Sequence, residues 1–255
     1  MDFHFDESLS EGYKSGTQKI RRMSEDWVAR NIYCPNCGNP HITHLPNNKA
    51  VADFQCDNCG EIFELKSSKG RLGKKVLDGA YNTMMQRIMS TTNPDLFLLQ
   101  YNENSDVTDL LLVPKFFLVP AIIEKRTPLK PPAKRAGWVG CNILISAVPM
   151  QGRIGMITSQ QVERTEDIVA KYAQAKRLQT NRIEQRGWLM DVLNCVNAIP
   201  NDDFTLSEVY AFESVLQELH PENNHIRDKI RQQLQYLRDK GFVAFDGRGK
   251  YHKMG

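Results

Sequence analysis

Two Cys-x-x-Cys pairs, Cys34/Cys37 and Cys56/Cys59, constrain this chain more than any other feature. Four thiolates on two tight loops match the tetrahedral, sulfur-rich coordination of Zn2+, and four protein ligands leave no open position for a reacting water. A closed, structural zinc site is therefore expected. In a reducing compartment this spacing points to metal before disulfide. The two remaining cysteines, Cys141 and Cys195, are expected as small buried apolar residues. The 255 residues, 41% of them apolar, suffice for one or two cores. No apolar run reaches the length of a membrane span, and the acidic start Met1-Asp2-Phe3-His4-Phe5-Asp6-Glu7 is unlike a secretory leader. A cytoplasmic, monomeric protein without a membrane partner is expected. The net charge of +3 is too mild to establish a nucleic-acid partner, so the placement of charge must decide.

Along the chain, residues 16–30 read as a helix around Ser24-Glu25-Asp26-Trp27-Val28-Ala29. Val51-Ala52-Asp53-Phe54 and Glu61-Ile62-Phe63-Glu64-Leu65-Lys66 read as short strands joined by the turn-rich Cys56-Asp57-Asn58-Cys59-Gly60. Lys75 to Met89 reads as a helix, and Leu96–Tyr101 and Val107–Val113 as strands. This order belongs to a mixed α/β layer. Residues 125–137, rich in Pro, Lys and Arg, read as an exposed basic loop, and a polar helix spans about 166–177. A second unit is expected from about residue 181. Trp188, Leu189, Val192, Leu193 and Val196 recur at helical spacing; Thr205-Leu206-Ser207-Glu208 is a capping box; Ile226, Ile230, Leu234 and Leu237 mark a third helix. Phe242–Phe245, the turn Asp246-Gly247-Arg248-Gly249 and Lys250–Lys253 complete a winged-helix pattern. Residues 223–255 hold eight Lys/Arg against three acids, concentrated on the third helix and wing. DNA contacts are expected from Arg227, Arg231, Arg248 and Lys250, and from Arg126 and Arg135 on the basic loop; ordinary solvated surface charge is the alternative.

Strand alternation puts Glu64 and Lys66 on one face and turns Leu65 toward the core. Asp53, separated from Glu64 by ten residues, can reach that face. An Asp followed at a distance by Glu-x-Lys is the active-site pattern of PD-(D/E)xK nucleases. Asp53, Glu64 and the Leu65 carbonyl would hold Mg2+, a hard cation that takes oxygen ligands, and Lys66 would position the attacking water and stabilise developing charge. The pattern is short and recurs by chance, and Ala52 stands where the superfamily has Pro. Its context adds weight: a preceding helix, strands beneath it, and the basic run Lys69, Arg71, Lys74, Lys75. His41 and His44 lie between the knuckles and are expected as satisfied surface residues rather than as ligands or catalytic groups.

The stretch Tyr33-Cys34-Pro35-Asn36-Cys37-Gly38-Asn39, with Val51-Ala52-Asp53-Phe54, Phe63-Glu64-Leu65-Lys66-Ser67, Asp78-Gly79-Ala80-Tyr81, Arg135-Ala136-Gly137-Trp138, Asn224-His225-Ile226 and Lys229–Gln235, resembles the DpnI-type restriction endonucleases. The resemblance runs through both proposed units, and the Ala52 departure belongs to it. It implies a type IIM restriction enzyme, a Mg-dependent type II site-specific deoxyribonuclease that cuts double-stranded DNA at GATC with N6-methylated adenine and leaves blunt ends. It also implies that Trp138 contacts the modified adenine. An indole on a basic loop beside Gly137 can wall a methyl group, whereas Trp27 and Trp188 read as core residues.

The expected architecture is thus α/β: a PD-(D/E)xK nuclease core with an inserted zinc-binding element over 1–180, and a winged-helix DNA-binding domain over 181–255. Two other readings stand beside it. A non-catalytic zinc-ribbon and winged-helix regulator would bind DNA without cutting it. An HNH-type nuclease using His41 or His44 would survive loss of Lys66, but no histidine occurs between His44 and His220 to complete that site.

Overall fold

The computed structural model describes residues 1–46, 52–90, 92–180 and 183–254. Its first long helix, α1 (Gly16–Asn31), forms where Ile20, Met23, Trp27 and Val28 recur at three- and four-residue spacing. Trp27 and Val28 are fully buried, and the indole N–H of Trp27 donates to Asp2 O at 2.9 Å. There follow β1 (Thr43–His44), β2 (Phe54–Gln55), β3 (Ile62–Lys69) and β4 (Val76–Ala80), then α2 (Tyr81–Met89). The strands β5 (Asp95–Tyr101) and β6 (Val107–Val113) lead through 3-10 turns to β7 (Ile123–Lys125), β8 (Gly140–Ile143), β9 (Ile154–Thr158) and β10 (Gln161–Val162), and α3 spans Thr165–Lys176.

Seven strands form the main sheet in the order β1-β2-β3-β5-β6-β9-β10. β3 and β5 run parallel, from Phe63 opposite Asp95 to Lys69 opposite Tyr101, while the other pairs in the sheet are antiparallel. β5 is buried along its whole length, as its apolar run Leu96-Phe97-Leu98-Leu99 requires of a strand covered on both faces. The opening residue of β5, Asp95, is polar and fully buried. It is satisfied by Lys115 N–H at 2.8 Å and by the Tyr172 hydroxyl at 2.8 Å, which tie the start of the strand to a 3-10 turn and to α3.

Two expectations for this part need correction. Residues 76–80, expected to open a helix, form β4 and pair with β8 in a separate three-stranded sheet, β4-β8-β7. Val76 and Gly79 are weak helix formers, and the ladder offered by Cys141–Ile143 overrides the local pattern. The register shifts between Asp78 and Ala80, so Gly79 sits at a bulge. Leu65, expected in the core, is only half-buried, and Phe63 supplies the buried side chain of β3 instead. Asp53 lies in a bend immediately before β2. Of the strand expected there, Val51 lies outside the described residues.

The C-terminal part holds α4 (Ile183–Ala198), β11 (Asp203–Thr205), α5 (Leu206–Tyr210), α6 (Glu213–Leu219), α7 (Ile226–Asp239), β12 (Val243–Gly247) and β13 (Lys250–Lys253). The expected start near residue 181 lies outside the described residues. The capping box forms: Thr205 Oγ1 accepts from Glu208 N at 3.3 Å, and Glu208 Oε2 accepts from Thr205 N at 2.7 Å. The helical segment it opens is broken at Ala211–Phe212, which gives two short helices where one was expected. A third strand, β11, also joins the hairpin in the order β11-β13-β12. Ile226, Ile230, Leu234 and Leu237 of α7 are buried with Trp188, Leu189, Val192 and Leu193 of α4. α4 also reaches the N-terminal part: Asn194 Nδ2 donates to Ala147 O at 2.9 Å, and the Asn197 and Gln151 amides bond reciprocally at 2.9 and 3.1 Å. No helix among the described residues is long and apolar enough to cross a membrane.

Candidate active site

The two cysteine pairs are built alike. In each, a glycine in the left-handed region (Gly38, φ 73°; Gly60, φ 75°) lets the chain fold back. Each glycine N–H donates 2.8 Å to the first cysteine's carbonyl. Cys34 Sγ lies 3.6 Å from Cys59 Sγ and Cys37 Sγ 3.7 Å from Cys56 Sγ, and all four sulfurs lie within 4.8 Å of one another. Zinc–sulfur bonds of 2.3 Å in a tetrahedron put sulfurs about 3.8 Å apart, so the cage has the size of a zinc site. The amides of Asn36 and Cys37 donate to Cys34, and the side chains of Asn36 and Asn58 donate to Cys59 and Cys37 at 3.3 and 3.5 Å. Burial, with the neighbouring Cys59 and Cys56 thiols adding to it, pushes the Cys34 thiol well above its ordinary value, so a cation is needed to keep that sulfur as thiolate. The cluster can therefore hold zinc. Neither His41 nor His44 belongs to it.

The second knuckle is the tip of the β2–β3 hairpin, and Asp53, Glu64 and Lys66 sit on that hairpin's body. All three, with Leu65, line one cleft of about 910 Å3. Asp53 is held from both sides, its N–H donating to Phe63 O at 2.9 Å and its carbonyl accepting from Leu45 N at 2.8 Å. Its Oδ2 accepts the Leu65 N–H at 2.7 Å, and Arg21 Nη2 approaches Oδ1 at 3.4 Å. Burial pushes the Asp53 carboxyl above the ordinary aspartate value; the Leu65 N–H offsets part of this, and the charges of Glu25 and Glu64 add to it. Glu64 pairs with Lys66 Nζ at 2.7 Å and with Arg87 Nη1 at 3.0 Å. Lys66 Nζ also meets Asp78 Oδ1 at 2.6 Å. Burial works against the lysine's charge, but Glu64 and Asp78 outweigh it and hold its pKa above the ordinary lysine value. Glu25, Asp53, Glu64 and Asp78 are thus interleaved with Arg21, Lys66 and Arg87, and the carboxylates of Asp53 and Glu64 are hard oxygen donors of the kind Mg2+ takes.

Four of these residues, Arg21, Glu25, Asp78 and Arg87, escaped sequence reasoning. Glu25 is almost fully buried on α1, where it pairs with Arg21 Nε at 2.5 Å and with His44 Nε2 at 3.1 Å. A glutamate inside the apolar stripe of that helix was the available signal. Asp78, buried at the β4 bulge, sat in a segment expected to be helical. Arg87 follows the buried Met84 by one turn of α2.

The expected DNA-contacting residues fall into two groups. Arg126, Arg135 and Trp138 come together: the Arg135 guanidinium stands 4.8 Å over the indole. A Cβ on Gly140 would lie 2.7 Å from that ring and 3.3 Å from Arg126 Nη1. Only bare backbone there lets the half-buried indole pack so close. Arg227 and Arg231 lie one turn apart on α7, tied to Glu213 at 2.8 Å and to the Tyr210 hydroxyl at 2.7 Å respectively. Arg248 and Lys250 are exposed on the wing hairpin. None of these seven lines the cleft, whose basic wall comes from Lys69, Arg71 and Lys75.

A mixed α/β unit with a cleft of interleaved carboxylates and cations is joined to a helical unit that carries a three-stranded sheet. The model of the DpnI family, described as the Dam-replacing family, matches residues 1–181, and that of its C-terminal part, the Dam-replacing HTH domain, matches 184–253. The chain belongs to the DpnI family, whose members are methylation-dependent restriction endonucleases, and is a DNA-binding nuclease by that membership.

Proposed function

We propose that the cleft is a PD-(D/E)xK hydrolytic centre in which Asp53, Glu64 and the Leu65 carbonyl hold Mg2+ and Lys66 acts on the scissile phosphate. The observation that carries this reading is the convergence of Asp53, Glu64 and Lys66 in one cleft, with Asp53 fixed by the N–H of the residue between the other two. Bound there, Mg2+ would supply a Lewis acid for the phosphate and lower the pKa of the attacking water. Lys66, kept protonated by its two carboxylate partners, serves as a donor rather than a base and meets the charge that builds on the phosphate oxygens. The water oxygen bonds to phosphorus and gives up a proton to solvent as the P–O3′ bond breaks, and the leaving 3′ oxygen takes up a proton.

The target in this reading is double-stranded DNA carrying N6-methyladenine in GATC, cut to blunt ends. Trp138 reads the methyl group from the N-terminal unit, flanked by Arg126 and Arg135. A winged helix reads the site a second time through α7 and the β12–β13 hairpin, with Arg227, Arg231, Arg248 and Lys250 on phosphates. Two readers have a physical rationale: burying one methyl is worth only about 0.8 kcal/mol, and pocket shape raises this to about 3 kcal/mol at most. Two independent tests multiply their discrimination. The four-cysteine zinc is structural and braces the hairpin that carries the carboxylates. Digestion of GATC plasmids with and without adenine methylation, in Mg2+, tests the reading; cutting of the unmethylated plasmid would remove methyl dependence at this site.

A further inference from the structure

Arg21 and Glu25 have no role in the hydrolytic chemistry proposed above, yet they stand beside its residues. Arg21 is half exposed (53%) and lines the cleft, while Glu25, one helical turn on, is buried (4%). Both Glu25 oxygens are committed: Oε1 to Arg21 Nε at 2.5 Å and Oε2 to His44 Nε2 at 3.1 Å. Glu25 is therefore a fixed anchor, held from α1 and β1, and it fixes the guanidinium in turn. The other end of that guanidinium, Nη2, is aimed at Asp53 Oδ1 but stops 3.4 Å away, too far for a strong charged hydrogen bond. Oδ1 is also the oxygen of Asp53 that the Leu65 N–H leaves for a cation, since that N–H takes Oδ2. A phosphate brought to that cation lies within reach of Arg21, whose rigid planar fork suits phosphate oxygens.

We propose that Arg21 is a catalytic residue that donates to a nonbridging oxygen of the scissile phosphate, with Glu25 and His44 as its positioning residues. The proposal rests on the hydrolytic reading of the cleft. As the water oxygen forms its bond to phosphorus, one proton of the water passes to solvent. As the P–O3′ bond breaks, the 3′ oxygen takes a proton from solvent, leaving a 5′-phosphate and a 3′-hydroxyl. Arg21 stays protonated throughout and meets the negative charge gathered on the phosphate oxygens.

The test is single-turnover cleavage of a methylated GATC duplex at saturating Mg2+, with duplex affinity measured separately in Ca2+. Arg21→Ala is expected to slow the cleavage step about 100-fold while affinity moves by less than about 3-fold, and added guanidinium ion at non-denaturing concentration should restore part of the rate. Because that variant leaves Glu25 without its cation, the pair Arg21→Ala with Glu25→Gln is measured beside it. A folded double variant that remains slow and is rescued by guanidinium supports the proposal. Wild-type rates in either folded variant overturn it, as does a loss confined to affinity or melting temperature with no guanidinium rescue. A wild type that cuts no DNA removes this proposal together with the hydrolytic reading, whereas an active wild type with an active Arg21→Ala removes this proposal alone.

Discussion

The knuckle pair and the cleft share one β-hairpin, and they prepare for cations in opposite ways. At the hairpin tip the four sulfurs already stand close to the edge lengths of a zinc tetrahedron, and amide N–H groups are turned onto them. No polar rearrangement is needed before a soft cation is held, and no ligand position stays open. On the hairpin body the oxygen donors are already engaged by Arg21, Lys66 and Arg87, so under the proposed function a hard cation would enter by loosening those contacts and a phosphate would take them up. One site is part of the fold. The other holds its carboxylates in contacts that the proposed function needs it to exchange.

The sharpest way to break this comparison is to remove one cleft carboxylate. Glu64→Ala is expected to lower single-turnover cleavage by about 1000-fold with the melting temperature nearly unchanged, since Glu64 is a partly exposed residue in a strand that keeps its backbone pairing. An equally large fall in melting temperature would make the cleft structural instead. Cys56→Ser addresses the tip. It is expected to lower zinc content below one ion per chain and the melting midpoint by roughly 10 °C or more, with activity lost because the hairpin loosens. A variant with full activity and stability would contradict the bracing role.

A smaller effect sharpens the picture near the tip. Burial, with the charge of Glu61 added, raises the Asp95 carboxyl to about 7 against the bonds it accepts from Lys115 and Tyr172. The folded state then holds a proton that the unfolded chain, at its ordinary value of 3.8, has released. Stability from this group is present below the unfolded value and is lost as pH rises from about 4 to about 7. Asp95→Asn is expected to flatten that slope in melting curves and to gain on the wild type at pH 8. An unchanged slope would assign the pH dependence elsewhere.

Much of this organisation was legible in the sequence because it rests on local pattern. The cysteine spacing, the apolar run of β5 and the Thr205–Glu208 capping box each act within a few residues, and each is found where the sequence places it. What was illegible depends on distant partners. β4 is a strand only because β8 lies beside it, and β11 joins a hairpin some fifty residues away in the chain. Glu25 and Asp78 read as ordinary acids until α1 and the β4 bulge turn them toward Arg21 and Lys66. The arginines of the cleft share that difficulty, since i,i+4 pairing such as Arg21–Glu25 is also the commonest way to decorate an exposed helix.

The central claim is that this cleft cuts DNA and does so only at methylated sites. The most direct measurement is digestion of one plasmid, prepared with and without adenine methylation at GATC, by the wild type and Lys66→Ala in Mg2+. The account predicts blunt fragments from the methylated plasmid alone and none with Lys66→Ala. Cutting of both plasmids, or undiminished cutting by Lys66→Ala, would contradict it.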